Sequence, residues 1–308
     1  MNYLKNLSKI KIAILALIIA NVIWGDSFPI YKCSLDYIPP FLFIFIRFFG
    51  GALILLPFAY KNLRIVKADI PMLILISIIG ITIQIPLLFF GLKLTPSINA
   101  PIIIAVAPLI IIAASIIFLK EKLRAKILIG TLISLGGVIL IILRPIIESG
   151  GIDGNVLGNL MILGATLCFV AQSILLKKLT IRNDPLGLTF WMFLIGVIPL
   201  LPFVFYELQD FSISNLNSQA IIGIIYGTVF AAAIAHFTFI YGLKYIKASE
   251  VGIFTYIDPI ATAIVAIPLL DEKITITYLM GSILVFLGIY VAEGRIQYHP
   301  LGKLFAKE

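Results

Sequence analysis

Charge is scarce in this sequence: Asp, Glu, Lys and Arg together make up 12% of its 308 residues, against about 25% in a soluble domain. A soluble fold of this length could not hide the remaining apolar surface in one core. Only two cysteines are present, Cys33 and Cys168, and nothing pairs them, so a disulfide framework is not expected. The two histidines, His236 and His299, lie far apart and match no metal spacing. Gly-x-Ser-x-Gly, His-Glu-x-x-His and a Gly-rich loop ending in Gly-Lys-Ser/Thr are all absent. No catalytic residues, no metal and no cofactor are therefore expected, and no built-in drive from ATP; the chain does not read as an enzyme.

What the sequence has instead is apolar length. Hydrophobic residues make up 61% of it, and a membrane-spanning helix needs about 20 mainly apolar residues. Runs of that kind fall near 12–31, 40–60, 70–92, 97–119, 126–143, 157–176, 185–206, 219–242, 249–270 and 275–293. The expected fold class is an all-α integral membrane protein of ten transmembrane helices. The first run follows Lys5, Lys9 and Lys11 as a secretory leader would, but no small-x-small cleavage site follows it, so an uncleaved span is expected.

The net charge of +8 sits in the short gaps between runs, where it governs topology rather than nucleic-acid binding. With ten spans and an internal amino terminus, eighteen of the 23 Lys and Arg fall in inside segments, four outside, and only Arg47 within a span. That bias predicts cytoplasmic amino and carboxyl termini and a multi-pass protein of the plasma membrane.

The chain also repeats itself. A shift of 151 positions lays Gly91–Leu140 on Gly242–Val291 without a gap: Pro108 meets Pro259, Glu121-Lys122 meets Glu272-Lys273, Gly130 meets Gly281 and Gly137 meets Gly288. Further forward, a shift of 145 aligns Pro40, Gly51 and Pro57-Phe58 with Pro185, Gly196 and Pro202-Phe203. The expected organisation is two five-helix repeats, 1–144 and 157–308, joined by a Gly-rich polar loop over 145–156. An odd number of spans per repeat turns the second upside down in the membrane. Inverted repeats of this kind are characteristic of secondary transporters, with the substrate site at the repeat interface near the midplane.

Polar residues within the runs are candidates for that site. Asp26 lies in the first span, in Trp24-Gly25-Asp26-Ser27-Phe28; it reads either as a substrate or proton ligand or as a carboxylate solvated near the outer surface. Arg47 reads as gating or structural, with Asp26 and Asp36 as conceivable partners. Asp258 precedes Pro259 in the ninth span, where proline frees the Thr255 carbonyl; a carboxylate beside broken backbone suits a polar site, the alternative being a helix-to-helix hydrogen bond. Glu250, Phe254 and Asp258 share one helical face, so Glu250 is either at the mouth of a cavity or merely at a helix start. His236, beside the small residues Ala231–Ala235, reads as a proton or substrate group or as a neutral bond to a neighbouring helix. Gln84, Asn99 and Gln172 are each pathway or interhelical glue. Trp24 and Tyr256 line a pathway or pack in an aromatic belt, and Pro108 and Pro259 mark paired helix breaks. Glu121 and Glu272, at paired span ends, are assigned gating or structural roles.

These features together resemble the drug/metabolite transporter superfamily, and within it the EamA-type ten-span permeases. The residues that carry the likeness are Asn21-Val22-Ile23-Trp24-Gly25 with Ser27-Phe28, Arg47-Phe48, Pro108 with Glu121-Lys122-Leu123, and Asp258-Pro259 with Asp271-Glu272-Lys273. Asp26 stands where the family often has Ser or Thr, and Asp258 where it often has Glu. The resemblance implies a central cavity from spans 1, 3, 4, 6, 8 and 9, with spans 5 and 10 peripheral. It implies export of amino acids or related metabolites by alternating access, with a small-molecule substrate and the lipid bilayer as partners, proton coupling as an option, and a monomer or homodimer. The runner-up is a nucleotide-sugar or sugar-phosphate carrier, which a single intramembrane arginine disfavours; a membrane enzyme ranks below that.

Overall fold

The fold is that of a computed structural model, which describes residues 2–110, 125–149, 154–213, 216–246 and 251–293. Among the described residues there is helix and no strand. Apolar runs with no water to satisfy their backbone can do little else, because a helix closes its own hydrogen bonds within one segment. Ten helical elements follow in order: α1 (Asn2–Ser34), α2 (Pro40–Ala59), α3 (Lys67–Leu94), α4 (Asn99–Ile110), α5 (Ala125–Ser149), α6 (Gly154–Leu179), α7 (Pro185–Leu208), α8 (Ser218–Tyr245), α9 and α10 (Ile276–Glu293). In α9 a 3-10 turn, Gly252–Ile257, runs into the α-helix Asp258–Leu270. Six elements (α1, α2, α3, α6, α7 and α8) are long and apolar enough to cross a membrane, and the other four contain shorter apolar helices.

Two differences from the sequence reading have physical causes. The joint expected as loop over 145–156 is helical up to Ser149 and again from Gly154. The Arg144 Nε to Glu148 Oε2 pair, 3.1 Å and one turn apart, supports the last turn of α5. Two long helices also widen mid-way into π-helix, at Ile78–Ile83 in α3 and Tyr226–Ile234 in α8. The two segments end 151 positions apart.

The packing repeats itself with the same offsets. Lys32 on α1 donates to the carbonyls of Leu92 (3.0 Å) and Thr95 (2.6 Å), the open end of α3. Lys177 on α6 donates to those of Leu243, Lys244 (3.2 Å) and Ile246 (2.6 Å), the open end of α8. Each ammonium thus satisfies carbonyls that a helix end leaves without partners. Helices α5 and α10 cross at glycines: a Cβ on Gly137 would meet the Gly281 carbonyl, and one on Gly288 the Gly130 carbonyl. Between them the Ser134 hydroxyl donates to the Val285 carbonyl at 2.8 Å, its own counterpart 151 positions on. Small residues here let two backbones touch.

Polar caps tie the first half of the chain to the second. Glu207 accepts from the amides of Phe41 (3.2 Å) and Leu42 (2.8 Å) at the start of α2. Glu272 accepts from those of Ser97 (2.6 Å) and Ile98 (3.0 Å) just before α4. Asp271, with φ of 51°, ends α9 in the left-handed conformation and reverses the chain there. Buried Asp69 at the start of α3 accepts from Arg182 and, at 2.7 Å, from Asn183 in the α6–α7 turn.

Candidate functional site

A cavity lies among α1, α2, α3, α4, α6, α7, α8 and α9. Its cavity volume is about 70 Å³, below the about 300–1,000 Å³ of small-molecule sites. Among the described residues α5 and α10 contribute no lining and pack on each other, whereas α2 and α7 do contribute, through Arg47 and Met192.

The lining falls into pairs at the repeat offsets. At 145 positions these are Trp24 with Phe169, Ser27 with Gln172, Tyr31 with Leu176 and Arg47 with Met192; at 151 they are Ile85 with His236, Leu88 with Phe239 and Ile104 with Thr255. Fourteen of the twenty lining residues are thus equivalent positions of the two sequence halves.

Arg47 points from α2 into this space and is 2% exposed. Its guanidinium lies over the rings of Tyr31 (4.7 Å) and Phe48 (4.8 Å), with Phe89 at 5.9 Å. Aromatic faces attract a cation without using its N–H groups, and Nε and Nη1 have no hydrogen-bond partner. Neither Asp26 nor Asp36 pairs with it: among the described residues the ion pairs are Arg144–Glu148 and Arg182–Asp69.

Asp258 opens the α-helical part of α9 with Pro259 behind it, is 3% exposed, lines the cavity, and leaves Oδ1 without a partner. The 3-10 turn before it supplies the broken backbone that proline foretold, and Thr255 bonds within that turn, to the Gly252 carbonyl at 2.7 Å. Helix α1 comes close because residue 25 is glycine. A Cβ there would lie 2.7 Å from the Ala261 Cβ and 2.8 Å from the Asp258 carbonyl oxygen. The Thr262 hydroxyl fastens the crossing through the Gly25 carbonyl, at 2.7 Å.

His236 stands between Trp24, Phe48 and Phe193, ring centroids 5.1, 5.4 and 5.3 Å away. Its Nδ1 is 2.8 Å from the Ala231 carbonyl, which also accepts from Trp24 Nε1 at 3.1 Å. That carbonyl lies in the π-segment, where the i→i+5 pattern displaces backbone groups from their usual partners. A carbonyl only accepts, so Nδ1 carries the proton, and in the neutral ring Nε2 is left as acceptor. Gln84 and Gln172 add side-chain amides to the lining; Gln84 Oε1 has no partner, and Gln172 Nε2 donates to the Ile76 carbonyl at 3.5 Å. Gly80 makes room for the Gln172 amide.

Other expected residues lie elsewhere. Asp26 is half-buried on the outward stripe of α1, continuing the exposed series Ile12, Leu15, Ile19, Val22, and it does not line the cavity. Asn99 is buried but serves a ladder, donating to the Thr95 hydroxyl (3.0 Å) and to the Asn159 side-chain Oδ1 (3.1 Å) between α4 and α6. Pro108 packs on Gly252 and Tyr256 faces Phe286 on α10, ring centroids 6.3 Å apart; neither lines the cavity, nor does Pro259. Glu272 is a backbone cap. Glu121 and Glu250 fall outside the described residues. Sequence reasoning missed Tyr31, Phe169, Phe239 and Met192; projecting Trp24, Leu88 and Arg47 through the two offsets would have found all but Tyr31.

Comparison with known proteins agrees with this architecture. The sequence profile described as the EamA-like transporter family matches residues 11–143 and again 156–293. Relatives include the uncharacterized transporter YetK of Bacillus subtilis (strain 168), 26% identical over 91% of this chain and 86% of its own length. An uncharacterized transporter of Archaeoglobus fulgidus is 24% identical over 91% of this chain and 97% of its own, and YvbV of B. subtilis is 27% identical over 93% and 92%. A solved crystal structure superposes with a TM-score of 0.66 at 19% identity, covering 91% of this chain and 96% of that one, and shares the fold. The chain belongs to the EamA-like transporter family, a family of membrane transporters.

Proposed function

We propose that this EamA-like transporter is a secondary transporter that exports small metabolites, amino acids or related compounds, across the plasma membrane by alternating access. Its ten helical elements are ten spans, arranged as two inverted five-helix halves, 1–144 and 157–308, joined through 145–156. One observation carries the reading: a cavity with unpartnered polar groups, lined for the most part by equivalent residues of the two halves. The crossed glycine contacts of α5 and α10 support the inversion. Gly137 meets the counterpart of Gly130, and Gly130 meets the counterpart of Gly137, the pattern a two-fold axis imposes on a self-complementary contact. The double profile match supports the same division, and the eighteen-to-four distribution of basic residues supports cytoplasmic termini.

In this mechanism the halves rock about the α5–α10 crossing, and the cavity opens to one side and then the other. The π-segments of α3 and α8 provide the local give. Asp258 is the group through which proton coupling would run. One chain encloses a whole pathway, whether it travels as monomer or homodimer. A sugar-phosphate carrier fits less well, because among the described residues Arg47 is the single basic side chain lining the cavity. Purified protein in liposomes loaded with a metabolite mixture should show counterflow of at least one small solute. Inertness across a broad panel, with protein shown to be folded and inserted, would sink the reading.

A further inference from the structure

We infer that Arg47 and Tyr31 hold a small monovalent inorganic anion, of the size and charge of chloride, as a resident ligand on the α1–α2 side of the cavity. The inference goes beyond the transport reading and does not depend on it.

The need for an anion comes from burial. Arg47 is 2% exposed and Tyr31 1%. A guanidinium stays charged in a protein, and a buried charge without a counter-charge is costly. Among the described residues no carboxylate supplies one. The ion pairs there are Arg144–Glu148 and Arg182–Asp69, and Asp258, the carboxylate in the lining, joins neither. The rings of Tyr31 and Phe48 attract the cation through their faces. That contact leaves the charge and the N–H groups in place.

The free donors lie together. Arg47 Nε and Nη1 and the Tyr31 hydroxyl are buried atoms without a hydrogen-bond partner, on side chains that both line the cavity. The guanidinium carbon is 4.7 Å from the centre of the Tyr31 ring, and a phenol hydroxyl stands one bond beyond its ring, so a single ion can touch both groups. Gly227 brings α8 against the same two side chains: a Cβ there would lie 3.3 Å from Tyr31 Cε1 and 3.6 Å from Arg47 Cδ. N–H and O–H donors beside a fixed cation form charge-assisted hydrogen bonds to an anion. One positive charge calls for one negative charge. The cavity volume of about 70 Å³ is that of about two waters at about 30 Å³ each, which admits a monatomic ion.

Packing does not require these polar groups. At the 145-residue offset Tyr31 corresponds to Leu176 and Arg47 to Met192, which also line the cavity. The second half fills the equivalent positions with apolar side chains, so the polar pair is particular to the first.

The test uses the full-length protein in detergent at constant ionic strength, with sodium gluconate replaced stepwise by chloride, bromide or acetate. Chloride and bromide should raise the unfolding temperature saturably, as a ligand of the folded state does, and gluconate should not. The chlorine NMR line of the buffer should broaden on adding protein, and bromide should narrow it again. Tyr31→Phe removes one charge-assisted hydrogen bond and should raise the half-saturating chloride concentration at least about tenfold. Arg47→Gln should abolish the response. Tyr31→Phe decides the matter if Arg47→Gln fails to fold, since it keeps the ring beside the cation. An equal response to every anion, gluconate included, would mark an ionic-strength effect and overturn the inference. A response to acetate without the halides would overturn it too, assigning Arg47 to a carboxylate of the solute. So would an unchanged chloride response in either variant. Flux bears on the transport reading alone: chloride binding without counterflow of any solute would remove that reading and leave this one standing.

Discussion

Gly25→Ala offers a quantitative test of how α1 meets α9. The new Cβ would sit 2.7 Å from the Ala261 Cβ and 2.8 Å from the Asp258 carbonyl oxygen, where carbon contacts are comfortable at about 3.5–4.0 Å. Neither neighbour is the tip of a flexible chain, so the helices must separate by about 1 Å. The Thr262 to Gly25 hydrogen bond, 2.7 Å long, is then stretched beyond use. Overpacking costs about 1–3 kcal/mol and the lost bond about 1 kcal/mol; alanine's better helix propensity returns up to about 1 kcal/mol. A net loss of about 1–3 kcal/mol is expected, with reduced transport, because Trp24 and Asp258 line the cavity on either side of the crossing. The assay is thermal unfolding of purified protein alongside liposome counterflow. Gly136→Ala is the internal control: nothing lies within 4 Å of that Cβ, so it should be neutral or slightly stabilising. If Gly25→Ala and Gly136→Ala unfold at the same temperature, the close crossing is wrong.

Other expectations follow from the same contacts. Asp26→Asn should leave counterflow within about twofold, because the side chain faces away from the cavity, whereas Asp258→Asn should lower it at least about tenfold; flux assays of the two side by side decide this. Lys177→Met and Lys32→Met should each lower the unfolding temperature, by an amount reflecting about 1.5–3 kcal/mol for each charge-assisted bond lost, and an unchanged melting curve would show the ammonium groups to be solvated instead. Glu272→Gln should cost about 0.5–2 kcal/mol through the weakened cap at Ser97 and Ile98, measured in the same melts.

Much of this architecture is legible in the sequence because lipid leaves the backbone few options. Each described helical element falls on one apolar run, although α1 starts ten residues ahead of its run and the end of the fourth run lies outside the described residues. Polarity within apolar runs marks Gln84, Gln172, His236 and Asp258 as pathway candidates, and all four line the cavity, as does Arg47, which the sequence suggested only as gating or structural. Asp26 misled for the same reason: cost alone does not say which face a residue occupies. An all-apolar helix has little moment to orient it; only the packing reveals that Ile12, Leu15, Ile19 and Val22 form its outer stripe. Asn99 and Tyr256 were ambiguous because helix-to-helix bonding and cavity lining use the same side chains. The π-segments have no sequence signal of their own, since hydrogen-bond register is set by what the helix packs against.

The central claim is that solute passes through the cavity between the halves. Thr255 lines that cavity and is 2% exposed, so a single cysteine there, Thr255→Cys with Cys33→Ser and Cys168→Ser, reports on it directly. In liposomes, modification of that thiol by a small maleimide should abolish counterflow, and the transported solute should slow the modification. Quantitative modification with undiminished flux would contradict the account.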